Sequence, residues 1–443
     1  QWVVNVLRKM ENRAARPCCV VSPADVNDVA AVLALAEELR APVVPFGAGS
    51  GVCGGAIGPA GAVVVDLGRM NHVLELNEKA LTVRTEPGVL GADLERWLRE
   101  RGYTMGHFPQ SVAISSVGGW VSTRASGQLS TKYGSIEEML LAFEAVLPGG
   151  RIVRTRPVPR AATGPDLRGF FLGSEGTLGI LTEATFRVHP VPEGAARRAY
   201  SFVDVHGGLE AIREIVRLGW KPAVVRLYDP IEAARNFAGT APEGHALLLA
   251  YAEGPPELVE VEMRAIGTVA ATHGGADRGE EAVQKWLEHR NQVPSFESFL
   301  ARGIVVDTIE VATGWDRIHK LYDGVLAELG KVPGLLVASG HSSHSYTQGT
   351  NIYFTFAARP ERMDDAETLY FRCRDAALGA TLAAGGTISH HHGVGRQRAS
   401  WMRRELGSAY ELLVTLKRAI DPHGIMNPGA LLDDGAEPGL RPS

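Results

Sequence analysis

The feature that most constrains this chain is a run of glycines, Gly47, Gly49, Gly51, Gly54 and Gly55, directly after the strand-like stretch Pro42-Val43-Val44-Pro45. Residues without Cβ let several backbone N–H groups converge on one anion, so such a loop suits a phosphate. Gly49-Ser50-Gly51-Val52-Cys53-Gly54 also satisfies the GxGxxG pattern of a Rossmann dinucleotide turn. That turn needs a helix starting at the glycines, to aim its positive end at a pyrophosphate. Here Gly58, Pro59 and Gly61 follow before the apolar stretch Ala62 to Leu67, so the Rossmann reading is set aside. A plain tight turn is the alternative for the loop taken alone.

A chain of 443 residues is long enough for two or three domains. Ser22-Pro23-Ala24-Asp25 reads as a helix start with Ser22 as cap, continued by Val26, Val29, Leu33 and Ala36 at helical spacing. Strand from Leu81, helix from Ala92 to Arg101 and a second glycine-rich stretch from Gly106 to Gly119 follow. Pro190 and Pro192 mark a boundary. Beyond it, helical patterns at Leu209 to Leu218 and Glu257 to His273 alternate with strand-like Ala223 to Leu227 and Ala246 to Ala252, without glycine-rich loops. The last ten residues read as loose and polar.

The formal net charge of -5 gives no reason to expect nucleic acid or an anionic membrane as partner, so an anionic substrate must be met by local cations. Cys18, Cys19, Cys53 and Cys373 form no metal-spacing pair and read as reduced thiols of a cytoplasmic protein. No apolar run reaches a membrane span, and the start, Gln1-Trp2-Val3, shows neither Met nor a signal peptide, as if N-terminal residues were missing.

Three loops in order change the weight of the first. Pro45-Phe46-Gly47-Ala48-Gly49-Ser50-Gly51, Ser115-Ser116-Val117-Gly118-Gly119 and Gly173-Ser174-Glu175-Gly176-Thr177-Leu178-Gly179-Ile180 together resemble the FAD-binding domain shared by vanillyl-alcohol oxidase and p-cresol methylhydroxylase. The resemblance implies an α+β fold: a two-subdomain FAD-binding domain over 1–192, an α+β cap over 193–405, and a segment over 406–443 returning to the FAD domain. It implies pyrophosphate contacts from Pro45, Phe46, Gly47, Ala48, Gly49, Ser50 and Gly51 and from Gly118 and Gly119. Further FAD contacts are implied at Gln110, Ser111, Ser115, Ser116, Thr123, Arg124, Ala125 and Ser126, and at Glu175, Gly176, Thr177, Gly179 and Ile180. Many relatives attach the flavin through a His in the first loop; this loop has none, which implies non-covalent FAD.

Within that family the chain is similar to alkyldihydroxyacetonephosphate synthases, through Gly118-Gly119-Trp120-Val121-Ser122-Thr123-Arg124-Ala125-Ser126-Gly127, Ser345-Tyr346-Thr347-Gln348-Gly349 and Ser389-His390-His391-His392-Gly393-Val394-Gly395. The likeness implies exchange of the acyl group of an acyl-dihydroxyacetone phosphate for a fatty alcohol, with flavin N5 holding the ketone fragment. It implies Tyr346 as acid/base, His390, His391 and His392 as proton-transfer or orienting groups, and Arg226 as an activity-supporting arginine. A buried hydroxyl is the plain alternative for Tyr346, and an ion pair with Asp229 for Arg226. Arg302 is the choice for the substrate phosphate, with Arg396 and Arg398 as alternatives. Contact with a membrane surface, to meet lipid-like substrates, and a homodimer are also implied.

D-lactate and D-2-hydroxyglutarate dehydrogenases resemble this chain too, and a flavin-dependent 2-hydroxy-acid dehydrogenase or oxidase is the alternative function. Those enzymes carry metal-ligand stretches. Here His341 survives, Tyr353 stands where a second His is expected and His391 replaces a Glu, so no metal is expected. Gln110 departs from an acidic residue of eukaryotic synthases, and Gly254 to Ala301 shows little likeness. A non-catalytic flavin- or partner-binding role has no residue in its favour.

Overall fold

The computed structural model describes residues 3–292 and 297–433. The polar tail read at 434–443 lies outside the described residues. By its contacts the chain divides into two compact units: Gln1–Ser126, Ser135–Pro190 and His391–Ser443 form the first, Gly127–Gly134 and Val191–His390 the second. The exit falls at the prolines read as a boundary. The return comes at His391, ahead of the 406 read from the sequence, because the segment after the histidines is tied to loops of the first unit: Cys53 O accepts from the amides of Arg396 (2.9 Å) and Gln397 (3.1 Å). Gly127–Gly134 joins the second unit because Ser130 Oγ bonds His344 Nδ1 (2.6 Å) and Tyr133 Oη bonds Glu253 (2.5 Å).

In the first unit, the helix Val26–Leu39 buries Val29, Leu33 and Ala36. Its cap is Asp25, not Ser22: extended backbone at Asp25 turns its carboxylate onto the amides of Asn27 (2.7 Å) and Asp28 (3.0 Å), a stronger acceptor than the hydroxyl three residues earlier. The helix links two strands, Cys19–Val21 and Val43–Phe46, which both pair in parallel with Val63–Asp66. The return segment extends this sheet through Val43, whose amide donates to Ile425 O (2.8 Å) and whose carbonyl accepts from Asn427 N (2.7 Å). A five-stranded antiparallel sheet runs in the order Val73–Asn77, Thr82–Thr85, Ile180–Arg187, Leu140–Val146, Ile152–Arg154. One core joins both sheets, with Val65, Met70, Val146, Ile180, Ile425 and Met426 all buried. Burying each such side chain is worth about 1.5–3 kcal/mol.

The second unit is a seven-stranded sheet, antiparallel throughout, in the order Ala276–Asp277, Gly194–Phe202, Ala246–Gly254, Val224–Tyr228, Leu335–Ser342, Gly349–Ala358, Val305–Gly314. Its helices include Val205–Arg217, Pro256–Thr272, Ile318–Gly330 and Ala366–Ala383. The two halves of the sheet meet at a short seam, Leu227 against Ser342 and Tyr228 against His341. Among the described residues no helix is long and apolar enough to cross a membrane.

Candidate active site

In the first unit the three glycine-rich loops touch one another. A Cβ on Gly47 would lie 2.3 Å from Ser116 Oγ, joining the first loop to the second, and one on Gly176 would lie 2.7 Å from Pro45, joining the third to the first. Gly49 has φ 67°, and a Cβ there would strike the Phe46 ring at 2.7 Å. The backbone N–H groups of Ala48, Gly49 and Gly51 have no protein partner among the described residues, and the space beside Gly51 is open. No helix follows these glycines, so GxGxxG here is not a Rossmann turn.

Part of the second loop is occupied by its own packing. Ser116 caps the short helix Val117–Thr123, and the amides of Val117 and Gly118 donate to Val89 O (3.0 Å) and Pro87 O (2.9 Å). Gly119 N lies 3.4 Å from Ser116 Oγ. Ser115 N and Ser116 N, like the first-loop amides, have no protein partner among the described residues, so donors for an anion remain in both loops, while Gly118 permits the close approach to Pro87, where a Cβ would meet its ring at 2.7 Å. Ser115 Oγ accepts from Trp120 Nε1 (2.8 Å), and Thr123 Oγ1 donates to Gly119 O (2.9 Å). Arg124 ends the helix in left-handed conformation and sends its guanidinium to Glu137 (3.0 Å) at a half-exposed position. Ala125 O accepts from Ile136 N, and Ser126 Oγ pairs with Ser135 Oγ (2.8 Å). Gln110 is exposed and Ser111 half-buried.

Glu175 is the joint of the third loop. It is buried in left-handed conformation, φ 49°, and its carboxylate accepts from Val394 N (2.6 Å) and Gly395 N (2.8 Å), directly behind the histidine run. Burial pushes this carboxyl up to about 7, against the pull of those two amides and Arg398. Thr177 Oγ1 donates to Ser174 O (2.7 Å), and Gly179, at φ 156° with Val146 O against it, leads into the strand that starts at Ile180. Two residues that the sequence reading missed secure the loops. Asn427 Nδ2 donates to Glu175 O (2.7 Å) and Gly55 O (2.8 Å), and Lys417 Nζ donates to Thr177 O (2.7 Å) and Met426 O (2.7 Å). Neither carried a glycine-like signal; their role comes from the chain's return. Arg396 bonds the carbonyls of Ile57 and Pro428, which spends its guanidinium on the loop backbone.

The second unit holds Tyr346, His390, Arg226 and Arg302. Tyr346, half-buried between the strands Leu335–Ser342 and Gly349–Ala358, is fixed by its amide on Gly349 O (2.8 Å) and its carbonyl under Trp315 Nε1 (3.0 Å). Its hydroxyl lies 2.8 Å from His390 Nε2, and the His390 ring stacks on His344 with centroids 5.0 Å apart. His390 closes the second unit, whereas His391 and His392, whose rings meet edge-on at 4.5 Å, open the return into the first. The run is thus divided between units. Arg302 is exposed, in the turn after Glu297–Leu300.

Arg226 does not pair with Asp229, whose carboxylate is used by the amides of Glu232 (2.8 Å) and Gly340 (2.6 Å) and by Tyr322 Oη (3.0 Å). Its guanidinium donates instead to Tyr228 Oη (2.7 Å) and His341 Nε2 (2.6 Å). An arginine can only donate, so His341 Nε2 is the acceptor and its Nδ1–H donates to Glu232 (2.7 Å). Burial and the Arg226 charge hold His341 below the usual imidazole range. Burial would raise Glu232, but the His341 ring, Arg235 and Thr355 outweigh it and hold the carboxyl at about 2. The Tyr353 ring stacks on His341 at 4.9 Å, 23° from parallel.

A cradle of glycines closed against neighbouring loops, with free N–H groups at its first turn, fits the pyrophosphate of a dinucleotide. The comparisons name it. Residues 17–156 match the model of an FAD binding domain, and residues 192–431 that of the FAD linked oxidases, C-terminal domain. The chain therefore belongs to the FAD-linked oxidase family and is an FAD-dependent enzyme of that family. It is 34% identical over 432 residues to an uncharacterized FAD-linked oxidoreductase, YgcU, of Escherichia coli K12, covering 94% of this chain and 89% of that one. It is 30% identical over 452 residues to alkyldihydroxyacetonephosphate synthase of Dictyostelium discoideum, covering 94% and 73%. A solved alkyldihydroxyacetonephosphate synthase superposes with TM-score 0.78 at 26% identity, over 92% of this chain and 76% of that one. p-Cresol methylhydroxylase shares the fold, with TM-score 0.75 at 20% identity over 96% and 91%. The α+β architecture, with its FAD domain and α+β cap, is that of these relatives.

Proposed function

We propose that this enzyme is a transferase of the alkyldihydroxyacetonephosphate synthase type, replacing the acyl group of an acyl-dihydroxyacetone phosphate by a fatty alcohol and releasing the fatty acid. The observation that carries the reading is the Tyr346 hydroxyl set 2.8 Å from His390 Nε2. A phenol hydrogen-bonded to an imidazole can take the proton beside the substrate ketone and return it at the end of the cycle. The loops around Gly47 to Gly51 would hold FAD non-covalently, and the bound ring would supply the electrophile for the exchange, while Tyr346 and His390 move the protons. Arg226, locked by His341 and Tyr228, supplies a fixed positive charge in the same unit. The exchange balances without an external oxidant: alcohol in, carboxylic acid out, one C–O bond broken and one formed.

The test uses holoprotein with acyl-dihydroxyacetone phosphate labelled in the acyl chain, plus hexadecanol. Labelled fatty acid and an ether product should appear together, without net bleaching of the flavin. Anaerobic bleaching by a 2-hydroxy acid, with release of a keto acid and no ether product, would overturn the reading.

A further inference from the structure

On the second unit the helices Val205–Arg217 and Ile318–Gly330 each present a histidine and a carboxylate one turn apart: His206 with Glu210, and His319 with Asp323. Residues at i and i+4 share a helix face, so both pairs project as units. The four side chains form a line. Asp323 Oδ1 lies 3.3 Å from His206 Nε2, His206 Nδ1 lies 2.5 Å from His319 Nδ1, and His319 Nε2 lies 2.9 Å from Glu210 Oε1.

Two of these contacts have hydrogen-bond geometry, His206–His319 and His319–Glu210, while Asp323 stands within ion-pair range of His206 Nε2. Two neutral imidazoles carry one N–H each. With each Nε2–H given to its carboxylate, the two Nδ1 lone pairs face each other at 2.5 Å, which is repulsive unless a cation lies between them. The Glu232–His341–Arg226 line in the same unit needs no such addition, because arginine brings its own hydrogens. A carboxylate on the far nitrogen of each ring is the arrangement that fixes the tautomer of a metal-ligating histidine and raises its basicity. Arg213, 2.7 Å from Glu210, and the Tyr322 ring, edge-on to His206, hold the line in place, while both imidazoles remain about one-third exposed.

We propose that His206 and His319 form a binding site for a divalent transition-metal ion of the zinc, copper or nickel class, with Glu210 and Asp323 as the groups that orient the ligands and water completing the coordination. Imidazole nitrogens bind such ions at about 2.0–2.1 Å, so the two rings need part by less than about 1 Å to admit one. The site is independent of the flavin and of the proposed transfer reaction.

The experiment is zinc titration of the full-length holoprotein by calorimetry, with thermal denaturation alongside. Wild type should take up one zinc ion with micromolar affinity and melt at a higher temperature when loaded. His319→Gln, which leaves Tyr346, His390 and the other histidines intact, should lose that ion while melting as wild type does without zinc. Glu210→Gln should retain the ion at least about tenfold more weakly, the usual cost of removing a carboxylate behind a ligand. Zinc uptake unchanged in His319→Gln, or no uptake by wild type, overturns the proposal; the second result leaves a shared proton as the cation between the rings.

Discussion

Single residues here separate chemistry from architecture. Tyr346 bonds His390 through its hydroxyl and is anchored by its own backbone, so removing the oxygen takes away the group to which the proposed reaction assigns the proton while the backbone anchor stays. Tyr346→Phe should lower turnover at least about a hundredfold, the low end of general acid–base effects, while the visible spectrum of bound flavin stays as in wild type. Turnover near the wild-type rate would remove this hydroxyl from the mechanism. Glu175 makes a different kind of prediction. Its carboxyl is raised from 4.5 to about 7, so between those values the folded chain binds more protons than the unfolded one. The contribution of this group to stability therefore falls as pH rises through that window. Glu175→Gln, which keeps an acceptor for one of the two amides, should flatten that part of the curve. A series of melting temperatures from pH 4.5 to 7.5 for both proteins checks it, and parallel curves would assign the proton to another group.

At the scale of elements, the seam between the strands Val224–Tyr228 and Leu335–Ser342 holds the buried line Glu232–His341–Arg226. Removing the middle of this line takes one partner from each end, leaving Arg226 with Tyr228 and Glu232 with Arg235, Thr355 and Ser339. His341→Leu should cost about 1–3 kcal/mol, read by urea denaturation, and His341→Gln, whose amide can still donate to Glu232 and accept from Arg226, should recover most of it. Equal losses in the two variants would mean that packing against Tyr353, not the hydrogen-bonded line, sets the cost. The elements themselves were legible where a period of two or 3.6 met a clear stop: Val43–Phe46, Val63–Asp66 and Pro256–Thr272 fall within a few residues of their sequence signals. The three glycine loops were legible by type and order. Arg226 was legible as a residue but not as a contact, because its neighbour in the chain, Asp229, caps the helix Pro230–Asn236, and its true partner, His341, arrives from a strand more than a hundred residues away. The pair His206 and His319 carried no motif at all, since its spacing exists only once two helices are side by side.

At the scale of the whole molecule, the first unit is closed by residues far from its FAD-binding loops in sequence. Ile425 and Met426 belong to its core, Asn427 fastens the carbonyls of Gly55 and Glu175, and Lys417 fastens that of Thr177. This is why the glycine loops cannot be read as a self-sufficient dinucleotide module: the cradle is assembled only after the chain has completed the second unit and come back. A chain ending at residue 390 lacks these ties and leaves Val43 as a sheet edge with buried apolar neighbours uncovered, so it should neither fold its first unit nor retain FAD. Asn427→Ala isolates the tie from the core. It leaves the buried carbonyl of Glu175 without its donor, at about 1–3 kcal/mol, and the partly buried one of Gly55 at less, and should weaken flavin binding roughly tenfold while the protein remains folded. Flavin absorbance after gel filtration of the truncated chain, and equilibrium dialysis of Asn427→Ala against FAD, measure the two effects. Full FAD retention by the truncated chain would mean that residues before 391 suffice for the cradle, and the return would then serve stability alone.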